Sequence, residues 1–136
     1  MSQAIDVART LIHLDGAGGA QPIESSRSFW RGGAAAQRYE RVLGAFDFRS
    51  GEDLHSSMQE MHPEVDEVLL VLSGALDVLV EERGHERKIP LEASQAAIVP
   101  RGVWHRLVMR RPGRLLFINN RKGIQTRRSR PTCSPT

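Results

Sequence analysis

Four side chains stand out among those whose types hold cations or move protons: Glu60, His62, Glu67 and His105. Two imidazoles with one or two carboxylates form a ligand set suited to divalent iron, manganese, nickel or zinc. Glu60 and His62 are two residues apart in an extended stretch, and on a strand residues i and i+2 project from one face. Glu67 opens an apolar run, and His105 opens another. If these strands close into a small barrel, all four groups meet inside it. Polar groups there are costly unless they are paired or bound to a metal. Glu60 either ligates the metal or hydrogen-bonds a ligating histidine, and it is also the candidate general base. Asp66 and His55 have the opposite parity and should face away, with His55 in a loop or at the surface. His13 and His85 fall in an edge strand and a turn and are assigned no role.

The elements that must position these groups are short strands. Residues 5–15 (IDVARTLIHLD) carry enough β-branched and apolar side chains for an N-terminal strand. The stretch GAGGAQP that follows lacks the Lys-Ser/Thr of a phosphate-cradling loop and reads as a linker. Residues 34–42 predict a helical turn or two. From Val42 the pattern is β: VLGAFDF, then Met58 to Met61, then EVLLVL ended by Ser73-Gly74. ALDVLVEE puts Leu76, Val78 and Val80 on one face, and Glu82-Arg83-Gly84-His85 reads as a hairpin turn. ERKIPL, AAIVP and WHRLVM follow, then a Pro112-Gly113 turn and RLLFIN. Trp104 should face away from His105. Phe29 and Trp30 precede the barrel and are expected to cover one end of it or a neighbouring subunit. Short strands with turns between them predict a sandwich or small barrel.

Two motifs then carry a family resemblance. HPEVDEVLLVLSG, from His62 to Gly74, resembles the first cupin motif: His62 falls on its second histidine, Glu67 on its glutamate and Gly74 on its closing glycine. PRGVWH, from Pro100 to His105, is similar to the core of the second motif, Pro-x-Gly-x-x-His. The resemblance spans residues 45–119. It implies an all-β fold, an antiparallel double-stranded β-helix or jelly-roll barrel with little helix, and His62, Glu67 and His105 as metal ligands. The departures are Glu60 in place of the first motif histidine, Leu54 and Ser94 in place of the two opening glycines, and Met109 in place of the closing asparagine. A carboxylate at position 60 ligates the same metals and lowers the redox potential of the ion.

Composition bounds the rest. The 136 residues suffice for one domain. The layout expected is an N-terminal strand and loop region at 1–44, a barrel at 45–119 and a basic, disordered tail at 120–136. Arg121, Lys122, Arg127, Arg128 and Arg130 all lie in that tail, and without them the net charge of +3 turns slightly negative. With no aromatic residues among these arginines, base stacking is unsupported and nucleic acid is not the expected partner. A single cysteine, Cys133, excludes an internal disulfide. No apolar run or leader pattern points to a membrane or to export, so a cytoplasmic protein is expected. The function expected is metal binding, with a small-molecule dioxygenase or related metal-dependent enzyme as the leading form. A non-catalytic small-ligand binder, with or without metal, is the alternative. A homodimer is expected because a partner often covers barrel edges.

Overall fold

Two long strands organise the molecule, whose computed structural model describes residues 3–129. Strand β5 (Glu67–Glu82) and strand β8 (His105–Asn119) pair antiparallel through most of their length. The sequence places breaks at Ser73-Gly74 and at Pro112-Gly113, but the structure turns neither into a strand end. The two dipeptides face each other in a paired irregularity, with register shifts between Val71 and Leu76. Gly74 sits at φ +77°, and an added Cβ would meet the Pro112 carbonyl. A Cβ on Gly113 would run into the Ser73 carbonyl. Glycine in both strands therefore permits a sharp bulge, at which each strand bends and continues. Bent strands of this kind let one pair serve both halves of a barrel.

The other strands attach to this pair. β3 (Arg41–Phe48) pairs with the second half of β8, and β4 (Met58–Met61) meets its first residue, with Glu60 opposite His105. β6 (His85–Glu92) and β7 (Ala96–Val99) both pair with β5. The expected β5–β6 hairpin is present: Arg83 and Gly84 have φ of 52° and 82°, the two-residue turn whose twist matches the flanking strands. The core lies between the layers, with Phe48, Val71, Leu76, Val78 and Leu115 fully buried. This is the all-β antiparallel barrel the motifs imply.

The N-terminal region differs from its expected form. The strand is shorter, β1 (Thr10–Leu14), and the glycine-rich stretch is a tight hairpin leading into β2 (Ala20–Glu24). Asp15 makes this turn by accepting from the Ala17 and Gly19 amides at 2.9 and 2.7 Å. Pro22 is tolerated because β2 lies at the end of the sheet order. β1 pairs with β3 of the same chain. A four-residue helix, α1 (Arg27–Trp30), is capped by Ser26, and a 3-10 turn spans Ala34–Arg38 within the helical stretch expected there. α1 places Phe29 in the core and Trp30 edge-on against Phe117.

The tail is the main correction. Residues 120–129 are ordered, and Gln125–Arg128 form a ninth strand, β9, that pairs with β4. Its sequence, QTRR, has no apolar pattern because contacts of Arg127 hold it. Arg127 lies 4.0 Å over the Trp104 ring, donates to Gln59 at 2.7 Å and ion-pairs with Glu81. Trp104 thus faces away from His105, as expected. Cys133 and Arg130 lie outside the described residues.

Arg106, next to His105, ties β8 to the β5–β6 hairpin by a two-bond grip on Glu86 at 2.8 and 2.9 Å. This contact holds the Glu86 carboxyl below its ordinary value. A carboxyl lowered in the folded state stabilises the fold above its unfolded pKa, and that contribution is lost as pH falls through the folded value. Glu86→Gln should therefore cost about 1 kcal/mol near neutral pH, a difference that shrinks below about pH 4.5 and in high salt. Paired denaturation curves at pH 7 and pH 3 measure it; equal costs at both would contradict the role given to the charge.

Candidate metal centre

The expected site residues converge at strand ends. Glu60 is in β4, and His62 lies just beyond the end of that strand. Glu67 is the first residue of β5 and His105 the first of β8. His62, Glu67 and His105 are 3–4% exposed, while the Glu60 side chain retains 29% exposure. The two imidazole rings lie 5.7 Å apart. Ligand atoms of Glu60, His62 and His105 all fall within 4.8 Å of one another. Glu67 bridges the two histidines: Oε1 is 2.8 Å from His105 Nε2, and Oε2 is 3.4 Å from His62 Nε2.

The hydrogen bonding of His62 decides what it presents. Its Nδ1 lies 2.9 Å from the Asn120 backbone carbonyl, which can only accept, so Nδ1 carries a hydrogen. In the neutral ring Nε2 is then a lone pair. That atom is buried with no hydrogen-bond partner. It faces Glu67 Oε2 at 3.4 Å and Glu60 Oε2 at 3.7 Å, beyond the roughly 2.7–3.2 Å of an N–H···O bond. Lone pairs held face to face without a hydrogen repel unless a cation lies among them. Ligands about 2.1 Å from a metal stand roughly 3–4 Å apart. The spacing and donor types therefore fit a divalent ion among Glu60, His62 and His105, with Glu67 beside them on His105.

Partners behind these residues orient them. Asn119 Nδ2 donates to Glu67 Oε2 at 2.5 Å. His105 Nδ1 lies 3.4 Å from the Val103 carbonyl. Burial pushes the Glu67 carboxyl up, but its contacts with His105 and His62 outweigh this and hold it well below the carboxylate range. Burial pushes His105 down, and its bond to Glu67 reverses that, raising it above the ordinary histidine value. Such fixed partners set a ligand's tautomer and basicity.

The site opens on a cavity of about 600 Å3. Its apolar wall includes Trp30, Leu69, Leu115 and Phe117, and Glu60, Glu67 and His105 lie on its lining. Asp66 faces Arg101 instead, as parity predicts. His55 is exposed and contributes to the lining. His13 accepts from the Glu40 amide, outside the site. Asn119, Asn120 and Arg121 were not among the expected site residues. Two of them fall in the stretch read as a tail, and only the fold shows that the chain returns there beneath His62.

The cupin domain model matches residues 49–119, just over half of the chain. This chain belongs to the cupin family. No curated protein matches it by sequence. Among solved structures it is similar to a cupin-2 domain containing protein from Shewanella frigidimarina, at 18% identity and TM-score 0.47, over 60% of this chain and 71% of that one. It is similar to oxalate oxidase in complex with the substrate analogue glycolate, at 19% identity and TM-score 0.50, over 63% of this cupin and 45% of that chain. Oxalate decarboxylase from Bacillus subtilis, the subject of work on its Mn(II) centers, matches at 19% identity and TM-score 0.51, over 65% of this cupin and 24% of that chain. This cupin thus spans less than half of the latter two proteins, and the likeness at such identities is one of fold.

Asn119→Ala should leave the buried Glu67 carboxylate one donor short and cost about 2 kcal/mol. Asn119→Asp should cost more, because it sets a second carboxylate against Glu67, and the excess should vanish in acid. Denaturant melts of metal-free protein test this; an Asp variant no weaker than the Ala variant at neutral pH would contradict the contact.

Proposed function

We propose that this cupin binds a divalent metal ion through His62, His105 and Glu67, with Glu60 as a fourth ligand, and uses it to engage a small molecule in the adjoining cavity. The observation that carries this reading is the buried His62 Nε2, which has no hydrogen-bond partner among the described residues and faces two carboxylates at 3.4 and 3.7 Å. A bound ion with an open coordination position supplies Lewis acidity or a place for oxygen beside a substrate. The chain's own residues do the rest. The Asn120 carbonyl and Asn119 hold His62 and Glu67 in place. Trp30, Phe117 and the aliphatic wall exclude water from the ligand's apolar parts. Glu60, the most exposed of the four, can take up a proton at Oε1 or Oε2 when it is not ligating. A metal-dependent oxygenase is the enzyme form that suits this donor set best, and its iron or manganese versions fit two carboxylates better than soft metals do.

One contact favours a second place for Glu60. Arg121 Nη1 stands 3.6 Å from its Oε2, so Glu60 can serve as the arginine's counter-ion and leave the metal to the other three residues.

Metal analysis of purified, untagged protein tests both. About one transition metal per chain is expected in the wild type and near zero in His62→Ala. Loss in Glu60→Ala makes Glu60 a ligand; retention there places it with Arg121. No metal in the wild type after reconstitution with iron, manganese, nickel and zinc overturns the reading.

A further inference from the structure

Arg121 is the one buried arginine among the described residues, at 9% exposure, and it lines the cavity. Its Nε and Nη2 donate to the Trp30 carbonyl at 3.0 and 2.9 Å, and its guanidinium lies 5.4 Å from the Trp30 ring centre. These contacts fix one edge of a planar fork, and Nη1 makes no hydrogen bond among the described residues. The nearest anion, Glu60 Oε2, is 3.6 Å away, too long for a hydrogen bond. The other arginines on the lining are differently placed: Arg106 is committed to Glu86, Arg31 is exposed, and the Arg9 side chain is 87% exposed.

The charge of the buried cluster sharpens the point. Glu60 and Glu67 carry two negative charges and Arg121 one positive charge. A divalent ion at the site, the step that rests on the proposed function, leaves one positive charge in excess. Charges removed from water need compensation, and one monoanion supplies it. A carboxylate matches a guanidinium edge in shape and charge, and more than half of the remaining lining residues are apolar.

We propose that Arg121 is an anion anchor and that this cavity takes a small monocarboxylate with an apolar body. The carboxylate sits on the Nη1 edge of Arg121, and the body packs against Trp30, Leu69, Leu115 and Phe117. Metal and acid then favour each other's binding, since each removes the charge the other leaves uncompensated.

Calorimetric titration of Mn(II)-loaded protein with phenylacetate and hexanoate, each against its neutral amide, tests the proposal. Both acids should bind at least tenfold tighter than their amides. Arg121→Gln should abolish that preference while leaving amide binding unchanged. Arg121→Lys, which keeps the charge and loses the fork, should retain part of it, and serves if the glutamine variant does not fold. Wild type that binds acids no better than amides, or binds neither, overturns the anchor. So does a preference that survives in Arg121→Gln. Manganese content of the same samples separates the two readings. Bound metal without acid preference removes the anchor alone. Acid preference in protein that takes up no metal upholds the anchor and removes the metal site.

Discussion

A buried carboxylate must be surrounded by donors or cations, and Glu67 imposes that demand on the centre of this protein. Its two oxygens face His105 Nε2, Asn119 Nδ2 and His62 Nε2. Each partner comes from a different part of the chain: the start of β8, the end of β8 and the segment after β4. Satisfying one side chain therefore requires β8 to run its full length and bend, so that its first and last residues both reach the first residue of β5. The facing glycines at positions 74 and 113 make that bend possible. The interior of the site and the shape of the barrel answer to the same constraint.

The cluster is satisfied on one side only. His105 and Asn119 meet Glu67 with good contacts, whereas His62 turns an unpaired nitrogen toward the carboxylates. Buried polar groups left without partners are uncommon in proteins and call for an explanation. A cation is the simplest one here, because every group facing that nitrogen is an acceptor. Arg121 is the complementary case, a buried guanidinium whose Nη1 makes no hydrogen bond among the described residues. His62 Nε2 and Arg121 Nη1 both lie within 3.7 Å of Glu60 Oε2. One carboxylate thus adjoins a place for a cation and a place for an anion, and its position links the two.

Much of this was legible in the sequence. The period-2 pattern and the two motifs give the barrel, and parity along the strands separates Glu60 and His62 from Asp66, whereas His55 sits in a turn and reaches the cavity lining. Turn chemistry is less reliable. Ser73-Gly74 and Pro112-Gly113 look like strand ends, but two glycine dipeptides in register form a bulge, and nothing local reveals that they face each other. The GAGG stretch reads as a linker because the Asp15 turn depends on hydrogen bonds that composition does not show. Residues 120–129 carry no hydrophobic pattern, since their order rests on a cation–π contact, an ion pair and main-chain pairing with β4. Asn120 supports the site through its backbone carbonyl, which no side-chain type encodes. Arg121 looks like one more charge in a basic tail until the fold buries it.

The central claim is that His62 Nε2 is aimed at a cation site, and nitrogen-15 NMR of the histidine rings in metal-free protein near neutral pH tests it most directly. The account predicts a hydrogen on His62 Nδ1, a pyridine-type shift at Nε2, and a large displacement of the Nε2 signal on adding one equivalent of zinc. A His62 ring protonated at Nε2, and unmoved by zinc, would contradict it.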